Sequence, residues 1–111
     1  MQISKQMQGP VTVLALDGQL DSRTAGQVHR ELGELLPERG PVLLDLTRTT
    51  YLSSAGLRVL LLVHRQAATS GGHLLLAGAR PDVRDVMAAT GFLDFFTMFD
   101  TTPEGITALG G

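Results

Sequence analysis

Two adjacent hydroxyls, Ser53 and Ser54, sit inside Tyr51-Leu52-Ser53-Ser54-Ala55-Gly56-Leu57-Arg58, and an apolar run from Val59 to Val63 follows directly. That order reads as a loop entering a helix. A serine at such a junction can accept from one of the unpaired N–H groups of the first turn and act as the helix cap. The same helix end carries partial positive charge and free donors, which suit a phosphate. Structural capping and reversible phosphorylation are both open to this pair. Gly56 falls in the first turn, where glycine costs about 1 kcal/mol relative to alanine. So small a residue is expected where another backbone comes close. The expected neighbour is a partner's backbone, so that Gly56→Ala would keep the fold stable and weaken docking.

Other chemistries find little support. There is no cysteine, which removes disulfides, thiol catalysis and Cys-ligated metals. His29, His64 and His73 are not paired at metal-ligand spacing, and no His-Glu-x-x-His occurs. His64 lies beside the apolar stripe through Leu57, Leu60, Leu61 and Ala68 and reads as a partly buried structural histidine, whereas His29 reads as solvated. No Walker A or Gly-x-Gly-x-x-Gly pattern follows a strand. A hydrolase triad of Ser54, a histidine and Asp45 would need a Gly-x-Ser-x-Gly elbow, which Ser54 lacks. The expectation is a protein without catalytic residues, metal or cofactor.

An apolar share of 43% with 18% charged residues places the chain among ordinary globular domains. Net charge is −2 and the bases are scattered, so the basic stripe that nucleic acid requires is missing and no nucleic acid is expected. The first ten residues lack the apolar core of a signal peptide, and no apolar run approaches the length of a membrane span. A cytoplasmic protein without membrane insertion is expected.

The elements that must hold the serines follow from apolar patterning. Ile3 to Met7 reads as an edge strand, with Gly9-Pro10 as a hairpin turn. Val11 to Leu16 is a buried strand closed by Asp17-Gly18. Asp21-Ser22-Arg23-Thr24 supplies capping residue types, and Ala25, Val28, Leu32, Leu35 and Leu36 then trace one helix face until Pro37 and Gly40. Val42 to Leu46 is a second buried strand. The serine helix runs from Ser54 to about Thr69 and stops at Gly71-Gly72. Leu74 to Ala77 is a third buried strand. Pro81 to Thr90 is a helix with Pro81 in its first turn and Gly91 after its end. Phe95 to Phe99 is a last strand, and a short helix opens with Thr102 as cap and Pro103 at its first position. The order β-β-α-β-α-β-α-β-α gives the α/β class: one domain over residues 1–111, a mixed, mainly parallel sheet of about five strands, with about four helices packed on it.

The stretch Tyr51 to Leu61 resembles the signature of bacterial anti-sigma factor antagonists, the single STAS domains. Gly18-Gln19-Leu20-Asp21-Ser22-Arg23-Thr24-Ala25 is similar to their turn after the second strand, and Val42-Leu43-Leu44-Asp45-Leu46 to the strand before their switch helix. The resemblance implies a partner-switching protein. Unphosphorylated, it binds an ATP-binding serine kinase that doubles as an anti-sigma factor and so releases the sigma factor. Phosphorylation on Ser54 ends that binding, and a PP2C-type phosphatase resets it. Ser53 stands where many members carry Asp, which removes one negative charge beside the acceptor. By position the resemblance implies a partner-binding face of Asp21, Ser22, Ser53, Ser54, Ala55, Gly56, Leu57 and Arg58 on a monomer or weak dimer. Asp21 is equally readable as a helix cap. The family also includes transport subunits that dock on an ABC-type ATPase, a second expectation for a free domain of this length.

Overall fold

The computed structural model describes residues 1–111. The chain runs β1 (Gln2–Gln8), β2 (Val11–Leu20), α1 (Ala25–Leu35), β3 (Gly40–Asp45), β4 (Thr49–Leu52), α2 (Ser54–Thr69), β5 (Gly72–Ala77), α3 (Pro81–Ala89), β6 (Met98–Phe99) and α4 (Thr102–Ala108). The sheet order is β1-β2-β3-β5-β6, with β4 paired to the far end of β2. Only β1 runs antiparallel, joined to β2 through the Gly9-Pro10 hairpin.

Strand register sorts the side chains into two layers, because successive residues point to opposite faces. Leu14, Leu16, Val42, Leu44, Leu74 and Leu76 face α1, α2 and α3 and form the main core with Val28, Leu32, Leu60, Val63 and Met87. The opposite parity, Val11, Val13, Leu43 and Ala77, packs beneath Ile106 of α4 and Leu109 just after it. Each buried leucine contributes roughly 1.5–3 kcal/mol relative to exposure.

Four readings of the sequence need correction. The second strand does not end at Leu16. Past Asp17, β2 leaves β1 and β3 and pairs with β4 from Gly18, at φ 129°, to Leu20, the register shifting after Gly18 so that Thr50 of β4 is the extra, bulged residue. Strand β4 itself was not foreseen; Thr49 anchors it by donating its buried hydroxyl to the Leu16 carbonyl at 2.9 Å. The last strand shrinks to Met98–Phe99, because Phe95 and Phe96 lie in a turn and stack with His64 at ring-centroid distances of 5.0 and 5.5 Å. Helix α4 is capped one residue earlier than expected: Thr101 Oγ1 accepts from Glu104 N at 3.3 Å, leaving Thr102 and Pro103 inside the first turn.

Candidate functional site

Helix α2 begins where β4 ends, and the two serines divide the available roles. Ser53 is extended, at φ −96° and ψ 175°, and its Oγ accepts from Gly56 N at 3.2 Å. Its own N–H donates to the Leu20 carbonyl at 3.0 Å, and its carbonyl accepts from Leu57 N at 2.9 Å. Ser53 is therefore the cap. Ser54 is the first helical residue. It is exposed and its hydroxyl makes no hydrogen bond. The backbone N–H groups of Ser54 and Ala55 also lack a protein acceptor. A free nucleophilic hydroxyl thus stands beside two unpaired donors at the positive end of a sixteen-residue helix.

Gly56 does meet a close backbone, but that backbone is internal. A Cβ at this position would overlap the Leu20 carbonyl oxygen and lie 2.8 Å from Leu20 Cγ. The expectation that the glycine makes room for a partner is overturned, because Leu20 already fills that space. Leu57 points the same way and is only 3% exposed in the main core. Of the eight expected contact residues, Gly56 and Leu57 position the turn from within. Ser54 and Arg58 are exposed, Ala55 is half-buried, and Arg58 has no acidic partner.

The Asp21 loop lies against this turn, since Leu20, which receives the Ser53 N–H, immediately precedes it. Asp21 Oδ1 accepts from Arg23 N at 2.8 Å and Thr24 N at 3.2 Å. Thr24 Oγ1 accepts from Asp21 N at 3.1 Å and donates to the Gln19 carbonyl at 2.8 Å. One Asp21 carboxylate oxygen thus closes the turn before α1, whose N-cap is Thr24 without a side-chain cap bond, so Asp21 does not cap the helix itself; Ser22 remains exposed. Tyr51 was not singled out from sequence as a site residue. It pairs with Gln19 and is 50% exposed beside the serine turn. The signal lay in the motif itself, but only a strand at Thr49–Leu52 makes it visible as an outward aromatic.

The geometry does not assemble Ser54, a histidine and Asp45 into a triad. Asp45 accepts from both the backbone N–H and the hydroxyl of Thr47. His64 packs on Phe95 and Phe96, and burial lowers its pKa from the ordinary 6.5. No group of three or more His, Cys, Asp or Glu side chains converges as a metal site. No helix is long and apolar enough to cross a membrane.

Comparison with known proteins accords with the fold. BtrV of Bordetella bronchiseptica, a candidate anti-sigma factor antagonist, is 38% identical over 98 residues, spanning 86% of this chain and 84% of BtrV. A solved anti-sigma factor antagonist from Mycobacterium paratuberculosis shares the fold at a TM-score of 0.85 and 23% identity, over 99% of this chain and 94% of that one. The Bacillus anti-sigma factor antagonist SpoIIAA shares it at 22% identity, with a TM-score of 0.76 in its unphosphorylated form, over 96% of this chain and 95% of that one, and 0.69 in its phosphorylated form, over 96% and 98%. Residues 2–105 match the STAS domain, and the chain belongs to the STAS domain family.

Proposed function

We propose that this STAS domain is an anti-sigma factor antagonist in a cytoplasmic partner-switching circuit, with Ser54 as its phosphoacceptor. The observation that carries the reading is the division of labour between the serines: Ser53 is consumed as the cap, while Ser54 is exposed, unbonded and next to free N–H donors. The unphosphorylated domain binds an ATP-binding serine kinase that is also an anti-sigma factor, and the sigma factor is released. Ser54 Oγ takes the γ-phosphoryl group of ATP as the bond from the γ-phosphorus to the β,γ-bridging oxygen breaks, releasing ADP and the hydroxyl proton, and about −1.5 to −2 charges come to stand on the contact face. The complex then separates until a PP2C-type phosphatase hydrolyses the ester. The 38% identity to BtrV supports the antagonist role.

The test is affinity capture from lysate of the source cells with the unphosphorylated domain, followed by incubation of the captured kinase with ATP and mapping of the phosphate by mass spectrometry. Recovery of a serine kinase that modifies Ser54 supports the proposal. Recovery of an ABC-type ATPase, or phosphate mainly on Ser53, Ser22 or a threonine, overturns it.

A further inference from the structure

Arg58 is the charged residue of α2 that lies one helical turn after Ser54. Side chains four positions apart on a helix stand about 5–6 Å from each other at Cβ, and each tilts toward the N-terminus. The Arg58 side chain therefore leans back toward Ser54, and both residues are exposed. Nothing on the helix competes for the guanidinium. The residues three and four positions from Arg58 are Ser54, Ala55, Leu61 and Leu62, and α2 carries no acidic residue. Across from it, α1 presents Ala25, Gly26 and His29, while Glu31 is turned to Gln27. Asp21, in the loop before α1, makes no ion pair with Arg58, and its Oδ1 accepts from two backbone N–H groups. Arg58 is thus an unpaired cation set one turn from the hydroxyl that would carry the phosphate.

We infer that Arg58 is the internal counter-charge of phosphorylated Ser54, its guanidinium closing on the phosphate oxygens from one turn further along α2. The inference rests on the switch reading above and adds what happens to the phosphate once it is in place. An anion N-terminal to a cation at four residues' distance is the favourable order on a helix. A guanidinium also presents a fork of donors that matches phosphate oxygens. The Asp21 carboxylate repels the phosphate and works against the clamp. Phosphorylation then alters the exposed face twice: it adds a phosphate and withdraws the arginine. Aspartate is shorter and carries a single charge, so Ser54→Asp copies only part of that change.

The test installs phosphoserine at position 54 of the full chain during translation, so that no kinase is needed. Phosphorus NMR then follows its second ionisation between about pH 4 and 8. A cation beside the phosphate stabilises the dianion and lowers that pKa. Arg58→Ala is expected to raise it by about 0.3 pH units over the parent, with Arg58→Lys falling between and Arg23→Ala leaving it unchanged. Asp21→Asn should lower it, and salt at ~1 M should erase the difference between parent and Arg58→Ala. The helix N–H groups are common to every variant, so the difference reads the arginine alone. Arg58 is exposed, and the unphosphorylated variants should melt with the parent. Equal values in the parent and Arg58→Ala overturn the clamp, as does a lowering that survives in Arg58→Ala and vanishes in Arg23→Ala. Mapping of the captured kinase's phosphate is scored separately. Equal values with Ser54 modified overturn the clamp alone; phosphate mapped away from Ser54 overturns the switch reading and the clamp with it.

Discussion

The Leu20 carbonyl and Gly56 are in contact across β2 and α2, and the same carbonyl accepts the Ser53 N–H at 3.0 Å. One backbone oxygen thus fixes both the cap and the first turn of α2. Gly56→Ala should destabilise the fold by about 1–3 kcal/mol, the usual cost of overpacking, despite the better helix propensity of alanine. A fall of several degrees in melting temperature, measured by calorimetry, is the expected result.

The two serines should separate cleanly in a mutant pair. Ser53→Ala removes the cap and should cost about 1 kcal/mol of stability while leaving Ser54 open to phosphorylation. Ser54→Ala should leave stability nearly unchanged and bind the kinase constitutively. Ser54→Asp brings a charge into a contact that must desolvate; a penalty of ~2–3 kcal/mol weakens binding roughly 30- to 150-fold. Isothermal calorimetry on the captured kinase compares the variants, and equal affinities for Ser54→Ala and Ser54→Asp would refute the switch.

Phosphorylation is expected to leave the fold intact. The phosphate joins a helix end that favours an anion by about 0.3–1 kcal/mol. The melting temperature should hold or rise slightly, and amide shifts should stay near Ser54 rather than spread through Val11–Leu16 and Leu74–Ala77.

Tyr51 should matter to binding far more than to folding. Half of its surface is free beside Ser54, and exposed aromatics of this kind are often interface anchors. Tyr51→Ala is expected to cost about 2 kcal/mol in kinase affinity and within about 1 kcal/mol in stability. Tyr51→Phe should restore most of the affinity; paired urea melts and calorimetry read the two effects.

His64 makes stability depend on pH. Burial lowers its pKa in the folded state below the ordinary 6.5. Above that value both folded and unfolded chains carry neutral imidazole and nothing is lost. As pH falls through 6.5 toward the lowered value, the unfolded chain takes up the proton first, so stability declines and then levels off below the folded-state pKa. His64→Phe, which keeps an aromatic ring against Phe95 and Phe96, should flatten this part of the profile in denaturant titrations between pH 7.5 and 5.5.

Local patterning carried the long elements: the bounds of α2 match the expected Ser54 to Thr69, because Ser53, Gly71 and the apolar run between them all agree. It failed where structure depends on distant partners. Thr49-Thr-Tyr-Leu52 is a strand only because β2 continues past Gly18 to meet it. The aromatic run at Phe95-Phe96 has strand-like composition, yet packing on His64 draws it into a turn. The small size of Gly56 was legible; that its neighbour is Leu20 was not, since no local rule links residues so far apart in sequence.

Strand β2 bonds to β1, β3 and β4, and the serine turn hangs from its last residue. Amides along β2 should therefore be the slowest to exchange with solvent, and the turn cannot peel away without disturbing them. A kinase that required its target in extended form would never find Ser54 accessible. A kinase of the kind proposed would have to read the serine as part of a folded epitope assembled from two loops and a helix end. A linear peptide spanning 48–63 would then be a poor substrate even though it contains the whole motif, and substrate choice in such a circuit would follow three-dimensional shape rather than a consensus string.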